Sequence, residues 1–286
     1  MRILLTGAKG QLGYDIIRVF GSRHEIIAHD LDLDITKREL VIKRVAEVSP
    51  DLVINAAAYT DVDGAESNEL AAYRVNALGV HNLALACADS GIPMLHVSTD
   101  FVFSGDKNEP YTEFDLPDPR GVYAKSKRAG EIYLTALLNR YYLVRTSWLF
   151  GVAGRNFVKT MLELGKKNGE VSVVDDQVGS PTYSKDLAGK ILEIIERGAY
   201  GVYHVSNSGI CSWFDFAKEI FLVAGMEVKV NPISSEDLGR PAPRPPFSAL
   251  RGISLEMQGM APLRHYREAL EEFILKDLPE FGEMQN

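Results

Sequence analysis

Tyr123 and Lys127 stand four residues apart in the stretch RGVYAKSKRAGE, residues 120–131. On a helix this spacing puts both side chains on one face, with about 5–6 Å between Cβ atoms. A phenol with its ordinary pKa of about 10 is a poor acid–base group at neutral pH, and a nearby ammonium eases its proton transfer by stabilising the phenolate. The pair can therefore be a proton donor with its electrostatic partner. It can equally be one face of an ordinary amphipathic helix, since Tyr-x-x-x-Lys arises often by chance. The surrounding sequence has to decide.

A second candidate opens the chain. MRILLTGAKGQLGYD sets Gly7, Gly10 and Gly13 between an apolar strand and a helix. The first glycine permits a tight turn, the second lets backbone approach a pyrophosphate, and the third allows close helix–strand packing. The helix N-terminus then offers amide donors to the phosphates. The spacing is G-x-x-G-x-x-G, one residue longer than the usual G-x-G-x-x-G. The next strand, EIIAHD, ends at Asp30, where a carboxylate can accept hydrogen bonds from an adenosine ribose and favour NAD(H). Asp30, Asp32 and Asp34 can also be solvated loop residues. Lys9, inside the glycine loop, suits either a 2′-phosphate, and so NADP(H), or plain solvent.

The elements that must position these groups alternate. RILLTG, EIIAHD, DLVINAA, PMLHVST and YYLVRTSW are short apolar runs, separated by helical patterns such as QLGYDIIRVFGS and KRELVIKRVAEVSP. Repeated strand–helix units of this kind predict an α/β fold: a Rossmann-type, doubly wound parallel sheet with ligands at the carboxyl ends of its strands. After RTSWLFG the rhythm changes, so a dinucleotide-binding domain is expected over residues 1–150 and a mainly substrate-binding domain over 151–286. GVYHVSN reads as a further sheet strand, so residues from about 184 to 207 are expected to return to the first domain. Pro241, Pro243, Pro245 and Pro246 mark an ordered loop or a linker.

Composition narrows the classes. Hydrophobic residues are 46% and charged residues 24% of 286, with a formal net charge of −8. That balance argues against a nucleic-acid surface. No run reaches the ~18–20 apolar residues of a membrane span. Cys87 and Cys211 have no metal-ligand spacing, and Cys87 reads as a small core residue. A cytoplasmic protein without a metal centre is the expectation.

The order of the glycine loop, NAA at 55–57, STD at 98–100 and YAKSK at 123–127 resembles the extended branch of the short-chain dehydrogenase/reductase superfamily. Within it, GAKGQLG, NAAAYTDVDGAE, STDFVFSG, RTSWLFG, NFVKTML, DDQVGSPTY and RPPFSALR resemble the dTDP-4-dehydrorhamnose reductase family over most of the chain. The resemblance implies a catalytic triad of Thr99, Tyr123 and Lys127. It implies cofactor contacts from Gly10, Gln11 and Leu12 at the pyrophosphate, Asp34 and Ile35 at the adenine, and Ala58, Tyr59 and Thr60 at the nicotinamide side. Thr99, Asp100, Trp148, Arg244 and Ser248 would meet a nucleotide-sugar substrate, with NADPH or NADH reducing the C4 ketone of dTDP-4-dehydro-L-rhamnose. The sibling dehydratases carry Thr-Asp-Glu where this chain has Phe101, which removes the carboxyl that elimination needs.

Gly121, Ala124 and Phe247 depart from the family's usual Asn, Gly and Asn. The regulatory β subunit of methionine adenosyltransferase also resembles this family, so a non-catalytic role stays open at this point. A homodimer stays open too, as does Mg2+, for which only Asp15 offers a match. Read on its own, Asp15 is a first-turn helix carboxylate complementing the dipole.

Overall fold

The computed structural model describes residues 1–278. Its central sheet is built from β1 (Arg2–Thr6), β2 (Glu25–His29), β3 (Leu52–Asn55), β4 (Met94–Thr99) and β5 (Tyr141–Thr146). The order runs β2-β1-β3-β4-β5, every pair is parallel, and a late strand, Gly201–His204, adds to β5. The winding reverses between β1 and β3, where a doubly wound sheet opens a crevice at its carboxyl edge.

The alternation of side chains along β1 shows why these runs become strands. Ile3 and Leu5 point to one face and Leu4 to the other, all fully buried. The Ile3 and Leu5 face is covered by α1 (Gln11–Phe20) through Leu12, Ile16 and Phe20, together with the helix Ser184–Arg197. The Leu4 face is covered by α2 (Arg38–Val48) and by two later helices, and takes in Val41, Leu83, Cys87 and Leu134. Each such aliphatic side chain contributes roughly 1.5–3 kcal/mol by leaving water. Cys87 sits inside this layer, and burial pushes its thiol up to about 12.

Between β3 and β4 the chain forms α3 (Val62–Ser67), α4 (Glu69–Tyr73), a π-helical stretch Arg74–Gly79, and α5 (Val80–Ser90). The widened turns matter because π-bulges deflect side chains and collect at functional sites. After β4 comes α6 (Val122–Leu137), which carries Tyr123 as its second residue. Its N-cap, Gly121, has φ +74, and a Cβ there would lie 2.9 Å from Glu66 Oε1. Glycine at that position is thus required by the backbone itself.

A separate core follows β5. Phe150, Val158, Met161, Phe216, Phe221 and Phe273 gather α7 (Phe157–Asn168), the helix Trp213–Val223, and the helix Tyr266–Glu272 with the π-helical stretch Phe273–Asp277 that continues it. The proline-bearing segment is an ordered strap: Ser248 N donates to Val178 O at 2.8 Å, and Pro245 and Pro246 lie against Gly105. Among the described residues, no helix is long and apolar enough to cross a membrane.

Candidate active site

The sheet's carboxyl edge opens into a cleft of about 1680 Å³. Pockets for one small ligand run to about 300–1,000 Å³, so there is room for two side by side. One end is the glycine loop. Gly7 has φ +74, and a Cβ on it would meet Ala57 N at 2.5 Å; a Cβ on Gly13 would lie 2.2 Å from Gly7 O. Both glycines are steric necessities for seating α1 on the loop. Among the described residues no side chain caps α1, whose first residues line the cleft. Gln11 Oε1 is buried there without a partner among the described residues.

The NAA motif locks the switch point. Asn55 Oδ1 accepts from Thr6 Oγ1 at 2.7 Å and from Ala57 N at 3.1 Å, while its amide meets His96 at 3.1 Å. Gly7, Gly10, Gln11, Leu12, Gly13, Asp30, Asp34, Ile35, Ala58, Tyr59 and Thr60 all line the cleft. Of the three aspartates, Asp32 stays outside that wall and closes the local turn, accepting from Asp30 N at 2.7 Å. That bond and the His29 ring hold its carboxyl down to about 2. Lys9 is exposed and is not part of the wall.

At the other end stand Thr99, Asp100, Tyr123, Lys127 and Trp148. Thr99 Oγ1 donates to Asp100 Oδ1 at 3.0 Å and accepts from Phe101 N at 3.2 Å. Burial pushes Asp100 up to about 6; the nearby Ser248 hydroxyl and the bonded Thr99 hydroxyl oppose the shift. Burial likewise pushes the Tyr123 phenol up to about 12; Thr99 opposes the shift and Asp100 adds to it. At neutral pH this phenol carries its proton. Phe101 packs edge-on against its ring at 5.8 Å.

Lys127 reaches β4 as well as sharing the helix face of Tyr123. Its ammonium donates to Val97 O at 2.7 Å. Burial brings Lys127 down to about 8, against the pull of Glu131. Glu131 is fully buried and held by Arg145 at 2.9 and 2.8 Å and by Arg128 at 2.9 Å. Those pairings outweigh its own desolvation and keep its carboxyl below the usual range. Asn76, in the π-helical stretch, accepts from Tyr59 N at 2.8 Å and donates to Ser126 Oγ at 3.0 Å, and Ser126 Oγ donates to Tyr123 O at 2.7 Å. One asparagine thus fastens the cofactor-side loop to the helix bearing Tyr123.

Two expected substrate residues lie off the cleft wall. Arg244 forks onto Asp63 with two 3.0 Å hydrogen bonds, and Arg240 joins at 3.1 Å, pinning the strap to the first turn of α3. Ser248 is buried behind Asp100. Asp15 also differs from its reading: it is the fifth residue of α1, fully buried, bonded by Ser184 and by Arg18 at 3.5 Å. Its carboxylate is committed to protein donors, and no group of three or more metal-ligating side chains occurs among the described residues. A Mg2+ site does not fit there. The cleft also holds residues that motif reading did not single out, namely Trp213, Phe157, Arg74 and Arg155. For Trp213 the one available signal was rarity, since the chain has two tryptophans.

A switch-point cleft with a glycine turn on one side and a Thr-Tyr-Lys set on the other defines the extended short-chain dehydrogenase/reductase class. Within that class the chain belongs to the RmlD substrate binding domain family, which matches residues 1–278. It is 44% identical over 278 residues to the dTDP-4-dehydrorhamnose reductase of Mycobacterium tuberculosis, covering 94% of this chain and 91% of that one. A solved dTDP-4-dehydrorhamnose reductase from Clostridium acetobutylicum superposes with a TM-score of 0.94 at 46% identity, covering 98% of this chain and 100% of the other. The corresponding Bacillus anthracis enzyme, solved in complex with NADP, gives 0.93 at 46% identity, covering 95% and 98%.

Proposed function

We propose that this chain reduces the C4 ketone of dTDP-4-dehydro-L-rhamnose to give dTDP-L-rhamnose, using NADPH or NADH. The observation that carries the reading is a protonated, half-buried phenol, Tyr123, beside the Thr99 hydroxyl in the wall of a cleft large enough for dinucleotide and nucleotide sugar together. The relatives named above are reductases acting on such a sugar, which favours this reading over a regulatory subunit.

The cradle fits a dinucleotide: the uncapped α1 amides suit its phosphates, the Gln11 carbonyl, unpartnered among the described residues, suits a donor such as a ribose hydroxyl, and Asp30 stands at the end of β2. A bound reduced nicotinamide supplies the hydride. Tyr123 gives its proton to the oxygen on which negative charge develops, and Thr99 donates a hydrogen bond to that same oxygen, turning from Asp100. Lys127, on the same helix face as Tyr123, keeps a positive charge near the phenolate left behind. Asp100 and Trp148 flank the sugar. Ser248 acts one step removed by steadying Asp100, and Arg244 by holding the strap to Asp63.

Residues 1–150, joined by about 184–207, form the dinucleotide domain in this reading, and the remainder of 151–286 the substrate domain; residues 279–286 lie outside the described structure. Two free cysteines, both buried, suit a reducing cytoplasm. The test is direct. Purified protein is mixed with dTDP-4-dehydro-L-rhamnose and either cofactor, and the loss of reduced nicotinamide and the sugar product are followed. No cofactor oxidation with either nicotinamide would refute the proposal.

A further inference from the structure

Trp148 is a bulky residue with φ +46, in the left-handed region. Such backbone costs of order 1–3 kcal/mol and persists where its surroundings over-determine it. Three contacts do so here. The Trp148 indole lies flat on that of Trp213, centroids 3.5 Å apart and planes 6° from parallel. Gly179 leaves space for the ring, since a Cβ there would stand 2.5 Å from its Cε2 atom. The Trp148 carbonyl accepts from Thr182 N at 3.1 Å.

Trp213 is itself braced. It opens the helix Trp213–Val223 next to Ser212, whose hydroxyl accepts from Asp215 N at 3.1 Å, and Phe157 wedges against it at 4.4 Å and 51°. The two indoles come from sequence-distant elements and meet in the cleft wall, both only half-buried. Their place there is defined by register. Thr146 pairs with Thr99 across β5 and β4, and Trp148 lies two residues further on, at the end of the cleft that holds Tyr123.

We infer that Trp213 is a substrate-positioning residue, stacking on Trp148 so that the two indoles make one rigid aromatic wall for the deoxyhexose at the Thr99 and Tyr123 end of the cleft. This rests on the reaction proposed above and adds to it a residue and a subsite. A 6-deoxyhexose offers a methyl group and ring C–H bonds, and the electron-rich faces and apolar bodies of indoles suit such polarised C–H groups. Trp213 holds the wall in place; it takes no part in proton transfer.

The experiment uses three variants in the full chain. Trp213→Ala should raise KM for the keto sugar about tenfold, the size expected when an aromatic contact is lost. Its KM for NADPH should stay within about twofold. Trp213→Phe should recover most of the sugar affinity. Gly179→Ala, which drives a methyl group into the Trp148 ring without touching Trp213, should reproduce the raised sugar KM. Because both tryptophans of the chain belong to the pair, intrinsic fluorescence reports on it directly. At saturating NADP+, dTDP-L-rhamnose should change the emission well beyond what dTDP alone does.

An unchanged sugar KM in Gly179→Ala overturns the inference even if Trp213→Ala fails to fold. So does an equal rise of both KM values, which marks a general structural role. A full fluorescence response to dTDP alone also overturns it, because the wall would then be reading the base. A wild-type chain that reduces no keto sugar defeats the proposed function itself, whereas an active wild type with indifferent variants defeats only this inference.

Discussion

Replacing Tyr123 with phenylalanine removes a single oxygen and keeps the ring that packs edge-on against Phe101 at 5.8 Å. Burial pushes the phenol up to about 12, so at neutral pH the oxygen carries its proton and the lost group is a donor and not a charge. Thr99 keeps Asp100 and the Phe101 amide as partners, so no buried group is orphaned and folding stability should move by no more than about 1 kcal/mol. Catalysis is a different matter. A positioned general acid is worth roughly 10²- to 10⁴-fold, or about 3–5 kcal/mol in the barrier. Turnover of dTDP-4-dehydro-L-rhamnose in Tyr123→Phe should fall by that factor, with KM for NADPH near the wild-type value. The assay is steady-state NADPH oxidation at pH 7, with circular dichroism to verify the fold. A folded variant whose kcat stays within about threefold of wild type would show that Tyr123 is not the proton donor.

The pH profile should show an alkaline limb near pH 8. Lys127 is charged below about 8 and neutral above it, so a rate that needs the ammonium declines as pH rises through that value, and Lys127→Met should flatten the limb while lowering the plateau. Arg145→Met leaves the fully buried Glu131 without its two-pronged partner, which should cost about 3–5 kcal/mol in urea denaturation; a loss under about 1 kcal/mol would mean that Arg128 suffices. Gly13→Ala places a methyl 2.2 Å from Gly7 O, so the loop must shift, and cofactor titration should show NADPH affinity weakened by about tenfold or more. An unaltered affinity would separate the glycine loop from cofactor binding.

Much of this molecule was legible in its residue order because the decisive patterns are local. Apolar runs such as ILL and LVIN become buried parallel strands, and glycines at 7, 10 and 13 mark the turn into α1. Gly121, a departure from the family's usual asparagine, is explained locally as well, by a φ of +74 that suits glycine best. Tyr123 and Lys127 share a helix face as their spacing requires.

What the sequence could not reveal is which distant groups satisfy one another. Arg244 looked free to meet a diphosphate, yet it is spent on Asp63, 181 positions away. Lys127 looked like the partner of Tyr123 alone, yet its ammonium also donates to the backbone carbonyl of Val97, reached only once β4 and α6 pack. Asp15 looked like a first-turn carboxylate complementing the helix dipole, yet it is fully buried and bonded by Ser184 from across the fold. Trp213 bore no mark of a site until packing laid it on Trp148. Spacing along a chain settles which side chains share a strand or helix face. Desolvation and pairing between remote segments settle how each charge is held, and these exist only after the segments have closed on one another.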